Sequence, residues 1–199
     1  MLPTTIQPFT LLSDQDGLPL SGLLLLPQEE TVPCGILQVS HGMCEHKERY
    51  LDFLRHCTKQ GYICLIHDHR GHGESISDTI PLGYFGEGGA EALVADPLCQ
   101  FHFTLNGYAA LLALLNTTYN TKGWTITQPE LPIWFFSGGD DPCRGNDTRF
   151  QQAVDRMAEL GYQNVNSTLF PRMRHEILNE RNKAVVYAEI LETLDAWNC

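Results

Sequence analysis

Positive charge is scarce in this chain: 13 Lys and Arg stand against 24 Asp and Glu, a formal net charge of −11 over 199 residues with a pI near 5.0. Such a surface has no counter-charge to offer a phosphate backbone or an anionic headgroup, which excludes nucleic acid as a partner. Long hydrophobic runs are missing too. The longest leucine tract, Leu23 to Leu26, is far too short to cross a bilayer, and no basic, apolar, small-residue succession marks a leader. A stable membrane anchor is therefore not expected, and a cytoplasmic location is. The seven cysteines, Cys34, Cys44, Cys57, Cys64, Cys99, Cys143 and Cys199, lack CxxC spacing and are odd in number, so they read as reduced thiols rather than a disulfide framework. No repeat or low-complexity tract occurs. What remains is 43% hydrophobic and 19% charged, the profile of one globular domain spanning 1–199 with a core of its own.

Hydrophobic patterning places this domain in the α/β class. Two β-rich runs, Ile6 to Leu12 and Leu18 to Leu26, flank the turn formers Asp14, Gln15, Asp16 and Gly17, which predicts a β-hairpin at a sheet edge. A strand over Gly35 to Ser40, a helix over Arg49 to Gln60 closed by Gly61, and a strand over Tyr62 to Ile66 form a unit that requires a parallel sheet. The second half repeats the alternation: strand Ile133 to Phe136, helix Phe150 to Leu160, strand Val165 to Phe170, helix Glu180 to Trp197. Gly107 to Leu115 reads as helical and Asn116 to Glu130 as a connection. The glycine-bearing stretch 84–103 has no sustained period.

Chemistry-bearing residues gather where strands end. His41, Gly42, Met43, Cys44, Glu45 and His46 follow the first parallel strand, and Asp68, His69, Arg70, Gly71, His72, Gly73, Glu74 and Ser75 follow the next. With Gly61 and Tyr62 between them, these residues resemble the HGxxEH and DxRGHGxS signatures of the monoacylglycerol lipase, lysophospholipase and serine aminopeptidase branch of the α/β-hydrolase superfamily. Further on, Ser137, Gly138, Gly139, Asp140, Asp141 and Pro142 look like that family's acid loop, and Arg174 to Glu180 looks like its histidine loop. The resemblance implies an α/β-hydrolase-like, mostly parallel sheet flanked by helices, and hydrolysis of small-molecule carboxylic esters or lipids. It makes Asp141 the acid, His175 the base and the Met43 backbone N–H an oxyanion donor, with no metal and no cofactor. A carboxylate at one strand end and an imidazole after the next can meet at the carboxyl edge of a parallel sheet. Charge and spacing alone do not separate Asp140 from Asp141; the Asp-Pro match does.

One element of that pattern is absent. The fold needs a nucleophile on a G-x-S-x-G turn ahead of the acid and the histidine. The serines are Ser13, Ser21, Ser40, Ser75, Ser77, Ser137 and Ser167, and none is so placed. The family places a helix, the elbow strand, a further strand and a cap between stretches that here abut at Val94 and Ala95, which implies an internal deletion near 94–95 with central strands missing. The flanking strands would then present an open edge through which a second copy could associate. Cys44 is the substitute nucleophile with the best chemistry and Cys143 the weaker one, although free cysteines are usually inert packing residues. Ser40 and Ser75 read as loop hydroxyls, and His41 and His46 as loop histidines. Two other classes of function remain: a non-catalytic remnant or binding module, and a metal-dependent hydrolase built on His67, Asp68, His69 and His72, against which Arg70 argues because it would sit beside a dication.

Overall fold

A computed structural model of the chain describes residues 4–14, 17–83, 112 and 120–198. The deletion junction at 94–95 and the helix expected over 107–115, except Leu112, lie outside the described residues. The chain divides into two compact units, Met1–Tyr119 and Asn120–Cys199.

In the first unit the expected hairpin forms from β1 (Thr5–Leu12) and β2 (Pro19–Leu26), antiparallel from Thr5 opposite Leu26 to Leu12 opposite Pro19. Gly22 faces Phe9 across this ladder, and the Phe9 ring fills the space that a Cβ on Gly22 would need, its Cζ only 2.3 Å from that point. An aromatic ring thus covers the bare backbone that glycine leaves in a strand. β3 (Gly35–Val39) and β4 (Tyr62–His67) pair in parallel, and the sheet order is β1-β2-β4-β3 with β1 at one edge. Between them runs α1 (Leu51–Lys59), which packs on β4 and β2. Period-2 burial on β4 and a helical stripe on α1 meet in one core: Tyr62, Cys64 and Ile66 from the strand, Phe53, Leu54 and Cys57 from the helix, and Leu25 from β2. Thr58 is buried with them because its hydroxyl donates to the Leu54 carbonyl at 2.8 Å.

The helix begins two residues later than its apolar pattern predicts. Lys47–Tyr50 forms a 3-10 turn first, and Tyr50 turns its hydroxyl toward Glu45 and the Gly42 N–H instead of joining the apolar face. Its far end agrees with expectation, since Gly61 follows the last turn at φ +100 and donates to the Thr58 carbonyl at 3.1 Å.

The second unit holds a parallel pair, β5 (Ile133–Gly138) beside β6 (Val165–Phe170), in register from Ile133 opposite Val165 to Gly138 opposite Phe170. Its helices are α2 (Asp147–Leu160) and α3 (Lys183–Trp197). α2 starts three residues before the predicted Phe150 because the Asn146 side chain caps it, accepting from the Arg149 N–H at 2.9 Å. α3 starts three residues after the predicted Glu180, whose backbone is extended and whose carboxylate serves the preceding loop. Phe170, Met173 and Val186 are buried against Phe136, Ile177, Leu178 and Ile190. No described helix is long and apolar enough to cross a membrane.

Beneath the loops of the first unit lies a buried ion pair. Lys47 and Asp68, with side chains 1% and 0% exposed, meet at 2.7 Å, and the same ammonium reaches Glu74 at 2.8 Å and Glu48 at 2.9 Å. Burial alone would pull the Lys47 pKa down, but hydrogen bonds to Asp68, Glu74 and Glu48 more than offset it and hold the group charged. Removing one partner from such a pair leaves an uncompensated buried charge. Lys47→Met should accordingly lower stability by about 3–5 kcal/mol, read as a drop in the urea midpoint by circular dichroism; an unchanged midpoint would show that water reaches Asp68.

Candidate active site

Both parallel strand pairs end in loops rich in polar groups, and the two sets differ in what those groups do. In the first unit, the DxRGHGxS string is a self-satisfied scaffold. The Asp68 carboxylate accepts from the Lys47 N–H at 2.7 Å and the Glu74 N–H at 2.9 Å besides the Lys47 ammonium. Gly73, at φ +48, is required twice over: the backbone lies in the left-handed region, and a Cβ there would meet the Asp68 carboxylate at 2.3 Å. Ser75, fully buried, donates to the Asp68 carbonyl and accepts from the Ser21 N–H, each at 2.9 Å. Its hydroxyl is thus the loop hydroxyl expected of it.

The imidazoles here are committed to backbone partners. His41 Nε2 accepts from the His69 N–H at 2.9 Å, so its proton is on Nδ1, which donates to the Gly42 carbonyl at 2.7 Å. His72 Nε2 faces the Cys44 N–H at 3.4 Å and its Nδ1 faces the Arg70 carbonyl at 2.9 Å. His69 Nε2 faces the His41 carbonyl at 3.2 Å. Burial lowers the pKa of all three, that of His41 to about 3. With His69 and His72 turned to backbone groups and the Asp68 carboxylate taken by Lys47 and Glu74, residues 68–72 are built as a loop after the last strand residue, His67. The only metal-capable group found among the described residues lies elsewhere, at Asp141, Cys143 and His175.

Around the expected oxyanion turn, the Gly42 N–H is taken by Glu45 at 2.9 Å and Tyr50 at 3.2 Å. Met43 is exposed, and its N–H has no hydrogen-bond partner among the described residues. Cys44 is 2% exposed and holds φ +65, unusual for a side chain other than glycine. A thiol so buried is poorly placed to attack a substrate. His46 is buried beside Glu48, its Nδ1 2.7 Å from the carboxylate.

In the second unit, Asp141 and His175 meet: Nδ1 of the imidazole lies 3.0 Å from Oδ2 of the carboxylate. The local sequence forces the encounter. Gly138 closes β5, and a Cβ there would stand 2.1 Å from the Arg174 carbonyl and 2.3 Å from that of Met173, so only glycine lets the histidine loop cross the acid loop this closely. The crossing is laced by Gly139 N–H to the Phe170 carbonyl at 2.8 Å and Asp140 N–H to the Met173 carbonyl at 2.9 Å. Arg144 binds the Gly139 carbonyl at 2.6 Å, and Glu180 accepts from the Arg174 N–H at 2.8 Å. Arg144 did not stand out in the sequence, where its only signal was a charged residue beside a glycine-rich loop; Glu180 fell at the end of the histidine loop without a role assigned to it.

The carboxylate is sheltered and the imidazole open, with side chains 7% and 65% exposed. Burial pushes the Asp141 pKa up, but the His175 imidazole, the Cys143 N–H at 2.8 Å and the Ser137 hydroxyl outweigh it and leave the acid below its ordinary value. An ionised Asp141 keeps the proton on His175 Nδ1 and frees Nε2 to accept one. Asp140, by contrast, is exposed and points its carboxylate at no described partner.

Comparison with known proteins agrees with this frame. The family model described as serine aminopeptidase, S33, matches residues 31–88. Protein K6 of vaccinia virus (strain Western Reserve) is 32% identical over 56 residues, covering 28% of this chain and 69% of that protein. The chain belongs to the α/β-hydrolases of the serine aminopeptidase branch. This chain is also 33% identical over 57 residues to a monoglyceride lipase homolog of monkeypox virus, a match spanning 29% of the chain and only 21% of that relative's length. Among solved structures, an open-form lipase superposes with a TM-score of 0.76 at 16% identity, covering 98% of this chain and 99% of that one. A thermostable carboxyl esterase from Bacillus coagulans follows at 0.74 and 15%, over 98% and 99% of the two chains, and a Saccharomyces cerevisiae monoglyceride lipase at 0.68 and 13%, over 98% and 96%. At such identities they show the fold alone.

Two outcomes are expected. Gly138→Ala should force the acid and histidine loops apart, costing about 2–4 kcal/mol and stripping Gly139 and Asp140 of amide protection in hydrogen exchange; retained protection would mean the crossing can relax. The His41 ring, neutral when folded, should show no titration inflection by NMR between roughly pH 5 and pH 8, where an ordinary imidazole titrates. Because the unfolded state takes up that proton first as pH falls, the His41 contribution to stability is complete above its unfolded pKa of 6.5 and is lost toward about 3.

Proposed function

We propose that this chain carries the frame of a carboxylic-ester hydrolase acting on monoacylglycerol-like or lysophospholipid-like esters, with Asp141 as acid, His175 as base and the Met43 N–H as an oxyanion donor. The observation that carries the reading is the 3.0 Å approach of His175 Nδ1 to Asp141 Oδ2, the orientation in which an acid fixes the tautomer of a catalytic base. The Met43 N–H, without a partner among the described residues, supports the oxyanion role, because a donor for a developing alkoxide must not be bound elsewhere in the protein. A monkeypox relative named as a monoglyceride lipase homolog supports the ester class. Scattered free thiols, Cys34, Cys44, Cys57, Cys64 and Cys143, favour a reducing, cytoplasmic setting.

The same frame is missing a part. No G-x-S-x-G turn lies anywhere in the chain, and we place an internal deletion of a single domain near 94–95, removing the nucleophile and the second oxyanion donor that would follow it. Cys44 does not restore the chemistry, being buried on a left-handed turn. In this form the chain therefore acts as a non-catalytic member of the family, holding ester-like ligands at most.

Hydrolysis of a short-chain p-nitrophenyl ester should be equally negligible for wild type and His175→Ala, and a fluorophosphonate probe should label neither. Turnover by wild type that disappears in His175→Ala would overturn the non-catalytic reading and establish that an unrecognised nucleophile completes the site.

A further inference from the structure

We propose that Asp141, Cys143 and His175 form a three-ligand site for a zinc-class divalent cation. The imidazole nitrogen, thiol sulfur and carboxylate oxygen lie within 4.8 Å of one another. In a tetrahedral zinc centre, with bonds of about 2.0–2.3 Å, ligand atoms stand roughly 3.3–3.8 Å apart. Two of the three side chains, Cys143 and His175, are exposed and free to rotate through the remaining distance, while the sheltered Asp141 is anchored from behind by the Cys143 N–H on Oδ1. Thiolate, imidazole and carboxylate together match zinc, whereas calcium and magnesium prefer oxygen alone.

The site differs in kind from the histidine stretch of the first unit. There, His41, His69 and His72 direct their ring nitrogens at backbone groups. Here the one partner of the imidazole among the described residues is the carboxylate itself, and the Cys143 sulfur has no protein partner among them. Three protein ligands leave a fourth position for water, the arrangement of an open rather than a closed structural site. On binding, the Cys143 thiol gives its proton to solvent and sulfur bonds the cation; if Nδ1 is the histidine ligand, its proton moves to Nε2 and the ring binds as the neutral imidazole. The cation would then take both members of the acid–base pair, so zinc would silence any chemistry that pair performs. That consequence rests on the proposed function; the binding does not.

Cobalt(II) titrated into the full chain tests the binding without reference to activity. One equivalent should produce the near-ultraviolet charge-transfer band of a cobalt thiolate, abolished by added zinc. Cys143→Ser should lose the band, and His175→Gln and Asp141→Asn should weaken cobalt binding at least about tenfold. Cys34→Ser, which removes the other exposed thiol among the described residues, should keep it. Circular dichroism on each variant separates ligand loss from unfolding, and since Cys143 is exposed its replacement leaves the core intact. A band that survives Cys143→Ser, or wild type that binds no cobalt at one equivalent, would overturn the site.

Discussion

The Asp68 carboxylate holds up the whole loop layer of the first unit. It lies at the end of β4, fully buried, and gathers donors from Lys47 and Glu74, so that the turn after β3 and the turn after β4 are tied to one point. Around it, the Gly73 conformation makes room for the oxygens, and Ser75 returns a hydroxyl to the Asp68 carbonyl. A carboxylate and an ammonium taken out of water together are costly unless every lone pair and proton finds a partner. Here nearly every group does, which is why a charged pair can sit beneath the turn that carries Met43.

That arrangement changes the meaning of the most recognisable string in the chain. A histidine-rich, glycine-rich sequence invites a catalytic or metal reading, yet the imidazoles of His41, His69 and His72 meet in tilted and edge-on contacts at centroid distances of 4.1–6.2 Å and face the backbone. Their depressed pKa values follow from burial first, and a neutral imidazole with a fixed tautomer is a good backbone cap. In the second unit the reverse holds. The Gly139, Asp140 and Asp141 stretch has the composition of an ordinary solvated turn, but its carboxylate is sheltered, lowered in pKa and aimed at an exposed imidazole.

Much of this was legible beforehand where local rules act. Alternation and helical stripes placed β1 to β6 and α1 to α3 among the described residues, because burial on one face leaves its period in the sequence. Helix starts were less legible. Asn146 extended α2 by a cap, Glu180 delayed α3 by turning to Arg174, and Tyr50 left the apolar stripe for Glu45; each is a side-chain choice between local and distant partners that periodicity does not encode.

The sequence by itself determined the class of fold, the family frame and the absence of a serine elbow, since all three depend on residue type and order along the chain. Only the tertiary structure decided how closely Asp141 and His175 meet, that Cys143 stands beside them, and that the histidines after β4 are bound to backbone. The reason is steric as much as chemical. Gly138 lets two loops more than thirty residues apart cross within van der Waals reach, and which side chains then come into contact is fixed by the paths of both backbones, information that neither segment carries alone.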